Sequence, residues 1–370
     1  MYEPEPTAAA YRLGHLARAL RAAGFEVEVL TSRSPNERRS TPDVKRWPVL
    51  RDRSGAVRGY VQYLSFDVPL FFRLLFAKRA DVVVVEPPPT TGLAARLACG
   101  IRRIPYVYFS ADVTSSALEA VKPHPVVKRA VRWMEQHVLR RARHVLAVSE
   151  GVKDQLRALG VDDADVTVVG IGIDTERFAA YGAAESPGHR YLIYTGTMSE
   201  VHGAEVFVRG FEAVADSFPD VHLYMFGGGV EVEALKRRAE PISNRVHFPG
   251  VISAERTAAW IRGAVAALAS VRPGRGYDFA FPTKALSSLS CGTPVIFAGV
   301  GPARAIIPEA DAGWVTDWDA EQVASAMLAA LSAPSPRLSE QQVAWVDEQY
   351  SLEAAANRGA AAITAALHRR

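Results

Sequence analysis

The chain is poor in cysteine: only Cys99 and Cys291 occur among its 370 residues. Both lie in apolar, helix-like stretches without metal-ligand spacing, which excludes a disulfide framework and suits a reducing compartment. Long apolar runs are lacking too. Residues 82–85 and 295–298 are typical of what is present, far below the ~20 residues that cross a bilayer. The net charge is only +3, too small for a nucleic-acid footprint over the whole protein, so no nucleic-acid partner is expected. The opening Met1-Tyr2-Glu3-Pro4 has neither the basic nor the apolar region of a signal peptide. A cytoplasmic protein is the expectation. No metal site is evident, and neither a metal nor another cofactor is expected.

What is present is globular composition, 49% hydrophobic and 22% charged, at a length suited to two domains. Short β-branched runs alternate with alanine-rich helical stretches. Residues 26–31, 81–85, 106–109, 144–148 and 165–169 read as buried parallel strands, with helical stretches at 91–99 and 125–141. A second series of strands runs through 191–195, 221–226, 246–248, 265–268 and 294–297, and 178–190 reads as a linker. This alternation predicts an α/β fold of two Rossmann-like domains, 1–178 and 187–348, facing each other across a cleft. Residues 349–370 are expected to form a helix that crosses back to the first domain. The helical pattern at 8–22 has no strand ahead of it, so a first strand is expected upstream of Met1. In such sheets ligands bind at the carboxyl ends of the strands.

Three segments fall at such ends. In Phe281-Pro-Thr-Lys-Ala-Leu-Ser-Ser-Leu-Ser-Cys-Gly-Thr-Pro-Val-Ile296, Pro282 breaks a strand and Lys284 sits in a first helical turn. Helix amides beside a lysine make a diphosphate cradle; a plain strand–helix–strand unit with a surface lysine has the same spacing. The turn Gly196-Thr-Met-Ser-Glu-Val-His-Gly203 lacks both the Rossmann glycine spacing and the P-loop lysine, though its backbone could approach phosphates. Gly227-Gly-Gly229 is by itself a turn signal that also lets a base or ribose lie close.

Taken in order, these segments resemble glycosyltransferase family 4, the retaining enzymes of GT-B fold. The resemblance extends to Tyr2-Glu-Pro-Glu-Pro6, Ala10-Tyr-Arg12, residues 16–31, 135–150 and Gly172-Ile-Asp-Thr-Glu-Arg-Phe178. Phe281 to Val295 is most similar to the bacterial subset with a Pro-Ser/Thr-Lys motif that often acts in polysaccharide assembly. The resemblance implies hexosyl or N-acetylhexosaminyl transfer from a nucleotide-sugar donor to a lipid-linked, saccharide or small-molecule acceptor. It implies that Lys284 contacts the donor diphosphate with His202 assisting, by hydrogen bond or by charge if protonated. Gly196, Thr197, Gly203, Phe281, Pro282 and Thr283 would line the same pocket. Gly228, Gly229, Gly250 and Val251 would lie near the base, and Ser287 near the ribose. Asp112 would face the sugar from the other domain; its plain alternative is an N-cap for a helix at 114–121.

The departures open other readings. Relatives carry arginine at Thr197, lysine at His202 and glutamate at Ser287, and the partner of that glutamate falls at Phe279. These changes give weight to a catalytically weak partner subunit of another transferase; a nucleotide-sugar epimerase on the same scaffold is a third reading. Finally, residues 121–144 carry Lys122, Lys128, Arg129, Arg132, Arg140, Arg141 and Arg143 against the single acid Glu135, with Trp133 interleaved. Such a helix suits peripheral contact with the inner face of a membrane, or a solvated salt-bridged surface. Phe71-Phe-Arg-Leu-Leu-Phe76 could join that contact or belong to the core.

Overall fold

The computed structural model describes residues 2–5, 7–34, 42–52, 57, 59–117, 124–279, 282–333 and 337–368. Phe281 and Lys122 lie outside the described residues. The chain divides into two compact units, Met1–Gly172 with Leu352–Arg370, and Ile173–Ser351. No helix among the described residues is long and apolar enough to cross a membrane.

The first unit runs α1 (Ala8–Ala22), β1 (Val29–Ser32), β2 (Val44–Trp47), α2 (Tyr60–Phe76), β3 (Val83–Val85), α3 (Pro89–Arg102), β4 (Tyr106–Ser110), α4 (Thr114–Ala117), α5 (Pro125–Leu139), β5 (His144–Ala147), α6 (Glu150–Ala158) and β6 (Val166–Val168). Strands β3 to β6 form a parallel sheet in sequence order. β1 does not join it but pairs in parallel with β2 alone. Every residue of β4 and β5 is buried, the near-continuous apolar run expected of a parallel strand covered on both faces. α1 begins where the Thr7 side chain accepts from the Ala10 amide, satisfying a donor that the first helical turn leaves over. It buries Ala10, Leu16, Ala17 and Leu20 on one face and ends before Gly24, whose φ is +90°, a left-handed stop. The last helix, α14 (Leu352–His368), packs on α1. Gly359 lies at this contact, where a Cβ would come within 3.1 Å of Leu16 Cδ1 and require that side chain to shift slightly.

The second unit runs β7 (Arg190–Thr195), α7 (Glu205–Val214), β8 (Val221–Phe226), α8 (Val232–Arg238), β9 (Val246–Gly250), α9 (Ala254–Gly263), β10 (Ala266–Val271), α10 (Thr283–Ser290), β11 (Val295–Gly299), α11 (Ala303–Glu309), β12 (Gly313–Thr316), α12 (Ala320–Ser332) and α13 (Glu340–Tyr350). Its six strands are parallel in the order β12-β11-β10-β7-β8-β9. From β7 the chain winds outward through β8 and β9, then returns to lay β10 on the other side of β7. The order reverses between β7 and β10, and the loops that leave these two strands part there, which opens a crevice at their carboxyl ends. Beneath it Leu192, Tyr194, Phe207, Phe211, Leu223 and Met225 form part of a fully buried core. Burying each such side chain contributes ~1.5–3 kcal/mol, which makes a stiff floor for the crevice.

Candidate functional site

Every residue lining the main cleft of the second unit belongs to that unit. Its volume is about 450 Å3. Three strand ends and two helix starts build it. Thr195 ends β7, Gly196, Thr197 and His202 come from the turn after it, and Phe226 and Gly227 from the end of β8. Val251 and Ile252 come from the passage between β9 and α9, and Ala254 and Thr257 from the first turns of α9; Thr283, Lys284 and Ser287 come from α10, and Phe178 also lines the cleft.

The turns are tied to one another through the backbone. The Gly196 amide donates to the Phe226 carbonyl at 2.9 Å, the Gly227 amide to Gly250 at 2.8 Å and the Met198 amide to Gly228 at 2.8 Å. Gly227 has φ +128°, and a Cβ there would lie 1.9 Å from the Gly196 carbonyl oxygen. Gly229 has φ +143°, and its Cβ would meet the Met198 carbonyl oxygen at 2.1 Å. Only glycine fits either place.

Lys284 stands in the first turn of α10, after Pro282 at the N-cap. The first amides of a helix have no intrahelical acceptor and carry the positive end of its dipole. Lys284 Nζ donates to the Tyr194 hydroxyl at 2.6 Å and lies 4.0 Å from the centroid of that ring. The hydroxyl in turn donates to the Thr197 carbonyl at 2.8 Å. Tyr194 thus holds the ammonium against the wall of the cleft without neutralising it. Burial lowers the Lys284 pKa to about 7, and no carboxylate offsets this. The cleft therefore offers a positioned cation whose charge is costly until an anion arrives.

His202 lines the same cleft. Its Nδ1 shares a 2.9 Å hydrogen bond with Ser199 Oγ, and its carbonyl accepts from Ser270 Oγ at 2.6 Å. Burial first, and then the charge of Lys284, lower its pKa to about 4. The ring is neutral at neutral pH in the empty cleft, so it contributes a hydrogen bond and no charge.

Of the other residues singled out from the sequence, Gly196, Thr197, Val251, Thr283 and Ser287 line the cleft. Gly203, Gly228, Gly229, Gly250 and Pro282 stand behind or beside its wall. Gly228 and Gly250 accept the turn hydrogen bonds given above. Gly203 is buried, and its carbonyl accepts from Trp318 Nε1 at 2.9 Å. Gly227, from the triple glycine, also lines it, and residues not singled out, Phe178, Thr195, Phe226, Ile252, Ala254 and Thr257, complete the lining, with Tyr194 behind Lys284. Tyr194 in particular reads as core from the sequence and is core; its hydroxyl and ring face meet the Lys284 ammonium.

Asp112 belongs to the first unit, just beyond β4, and its side chain is exposed. It does not cap α4. That task falls to Glu135 of α5, which accepts from the Thr114 amide at 2.8 Å and the Ser115 amide at 3.0 Å. Nearby, Arg12 is paired with Glu86 at 2.7 Å, both nearly buried, and lies over the Phe109 ring. Among the described residues no group of three or more His, Cys, Asp or Glu is placed to hold a metal ion.

Comparison with known proteins agrees with this geometry. Residues 7–172 match the family described as glycosyl transferase 4-like domain, and residues 189–333 match glycosyl transferases group 1. An uncharacterized glycosyltransferase of Methanocaldococcus jannaschii is 21% identical over 166 residues, 43% of this chain and 41% of that protein. The chain thus spans less than half the length of this relative. A D-inositol 3-phosphate glycosyltransferase of Xylanimonas cellulosilytica is 24% identical over 359 residues, 87% of this chain and 82% of the relative. Among solved structures, a sucrose-phosphate synthase from Thermosynechococcus elongatus has a TM-score of 0.75 at 17% identity, covering 96% and 93% of the two chains. HepE of Anabaena, in complex with UDP-glucose, has a TM-score of 0.64 at 14% identity over 87% and 86%. Two glycosyltransferase domains in tandem over most of the sequence, glycosyltransferase relatives and a matching parallel α/β fold make this chain a member of the GT-B glycosyltransferases.

Proposed function

We propose that the chain transfers a hexosyl or N-acetylhexosaminyl group from a nucleotide-sugar donor, with retention, to a lipid-linked, saccharide or small-molecule acceptor. The observation that carries this reading is Lys284, a cation with no carboxylate to offset its burial, set at a helix N-terminus in a glycine-walled cleft. A diphosphate fits that chemistry: the ammonium and the first α10 amides bind its oxygens, and their hold strengthens as charge develops on the leaving group. The base would lie against Phe226, Val251 and Ile252, and Ser287 would hydrogen-bond the ribose. His202 would donate or accept a hydrogen bond beside the diphosphate. Asp112 would act on the sugar side. HepE with UDP-glucose, on the same fold, supports the donor class. The positive charge comes from Lys284 and the amides, so the reading requires no metal.

The test is incubation of the chain with UDP-, GDP-, ADP- and TDP-sugars, with saccharide and lipid-phosphate acceptors, with and without EDTA. Transfer with unchanged anomeric configuration, unaffected by EDTA, is the expected result. An inverted product contradicts retention, and loss of transfer in EDTA contradicts metal independence. One observation favours a second reading: Thr197 and Ser287, both uncharged, line the cleft where relatives carry arginine and glutamate. Nucleotide binding without turnover supports that second reading, a catalytically weak partner subunit. Isomerised donor indicates an epimerase.

A further inference from the structure

Helix α2 is built inside out. Its two charged residues, Asp67 and Arg73, are turned into the protein. Asp67 is buried and accepts from Thr91 Oγ1 of α3 at 2.5 Å, and Arg73 Nη2 donates to the Lys45 carbonyl at 2.7 Å. Val61, Leu64, Val68, Phe72 and Phe76, spaced three and four residues apart on one helical face, are each more than half exposed. A helix against water normally shows the reverse pattern.

The exposed apolar surface continues across the neighbouring helices. α2 packs on α3, and α3 on α5; Leu97 and Ile101 of α3 and Val126 and Trp133 of α5 are also exposed. These three helices thus carry nine of the fifteen large hydrophobic residues exposed among the described residues. Scattered exposure of this kind is ordinary, but its concentration on one layer marks a contact surface.

Charge identifies what the surface contacts. The only acids on the three helices are Asp67 and Glu135. Both are buried, Asp67 against Thr91 and Glu135 under the amides of α4. The outward side chains are cations instead: Arg129 and Arg132 on α5, and Arg140 and Arg141 just after it, are exposed. Trp133 stacks on His137 with centroids 4.9 Å apart, and with Gln136, Arg140 and Arg141 the pair lines a depression of about 430 Å3. Two guanidiniums beside an aromatic ledge suit a phosphodiester headgroup. The apolar stripe suits the acyl boundary beneath it.

We infer that the α2–α3–α5 face of the first unit lies on an anionic lipid bilayer, with α2 in the acyl boundary and the α5 arginines on headgroup phosphates. This inference does not depend on the donor cleft, which lies in the other unit.

The experiment is co-sedimentation of the full chain with phosphatidylcholine vesicles and with vesicles containing a quarter phosphatidylglycerol, alongside size-exclusion chromatography with light scattering. The chain should pellet with the anionic vesicles only, and 0.5 M salt should weaken this. Arg129→Gln/Arg132→Gln/Arg140→Gln should weaken partitioning on the order of 100-fold, from about fivefold per cation. Phe72→Ser/Phe76→Ser should also abolish pelleting while the melting temperature stays the same or rises, since both rings are exposed in the free chain. Free inorganic phosphate at millimolar concentration should not release the bound chain. Absence of wild-type pelleting, or pelleting of either variant equal to that of the wild type, overturns the inference. A dimer that Phe72→Ser/Phe76→Ser dissociates, without vesicle binding, overturns it in favour of a second copy on this face.

Discussion

Arg12 in the first unit and Lys284 in the second are both cations held beside the ends of parallel strands, but the protein treats them in opposite ways. Arg12 is matched on the spot by Glu86 at 2.7 Å and rests on Phe109. Lys284 is given a tyrosine hydroxyl and a ring, partners that orient an ammonium without cancelling it. Nearby acids follow the same contrast: Glu135 meets two helix amides, while no residue lining the cleft of the second unit is acidic. A matched pair is structural until something competes for it; a buried cation left unmatched is a place for an anion. The difference supports the proposal that a nucleotide binds in the second unit.

The most severe way to break that contrast is Gly227→Ala. Its Cβ would lie 1.9 Å from the Gly196 carbonyl at a φ of +128°, so the two turns must part. Nucleotide affinity measured by calorimetry should fall by at least ~100-fold, the cost of displacing a wall that positions charge by ~1 Å.

Protonation offers a reversible test. In the empty cleft Lys284 titrates at about 7, and a bound diphosphate raises that value. Binding above pH 7 must therefore take up a proton. Affinity should drop on the order of tenfold between pH 7 and pH 8.5, and the binding heat at pH 8 should depend on the ionisation enthalpy of the buffer. The same depressed pKa costs the folded state stability. The unfolded lysine holds its proton up to 10.5, so the penalty is small above that pH, grows as pH falls towards 7 and is complete below it. Lys284→Met should accordingly raise the melting temperature of the empty chain, more at pH 7 than at pH 10.

In the first unit, Glu135→Ala removes a buried carboxylate that serves two amides. It should lower stability by ~1–3 kcal/mol in urea unfolding while leaving nucleotide affinity in the second unit unchanged. The smallest effect is a gain. Ser287→Glu supplies the carboxylate that the family resemblance implies, at a position lining the cleft. It should tighten binding several-fold for ribonucleotides but not for a 2′,3′-dideoxy analogue, because the new acceptor acts on the ribose hydroxyls.

The second unit was the more legible in the sequence. Its buried strands are five- and six-residue apolar runs, and 221–226 is strand β8 from end to end. β2 was not legible, because Val44–Trp47 holds Lys45 and Arg46 and reads as a charged loop. α2 escaped for another reason: its apolar residues lie on every side, including the side that faces out, so no helical period stands clear of the background. Within the site, Lys284 could be read from its helix start and the turn glycines from their clustering. Tyr194 could not, since a wholly buried strand residue looks like packing. Glu135 was hidden in the same way. Its neighbours in sequence are basic, so it read as one acid in a charged helix and not as the cap of α4.

The central claim is that Lys284 holds the diphosphate of a nucleotide in the cleft of the second unit, and the most direct measurement is thermal stability of the chain against UDP, GDP, ADP and TDP, with Lys284→Ala alongside. A rise in melting temperature with one of these nucleotides that the variant loses is expected, corresponding to ~100-fold weaker binding once a desolvated charge contact is gone. An equal rise in the variant would contradict the role of Lys284, and no rise with any nucleotide in the folded wild type would contradict the donor site itself.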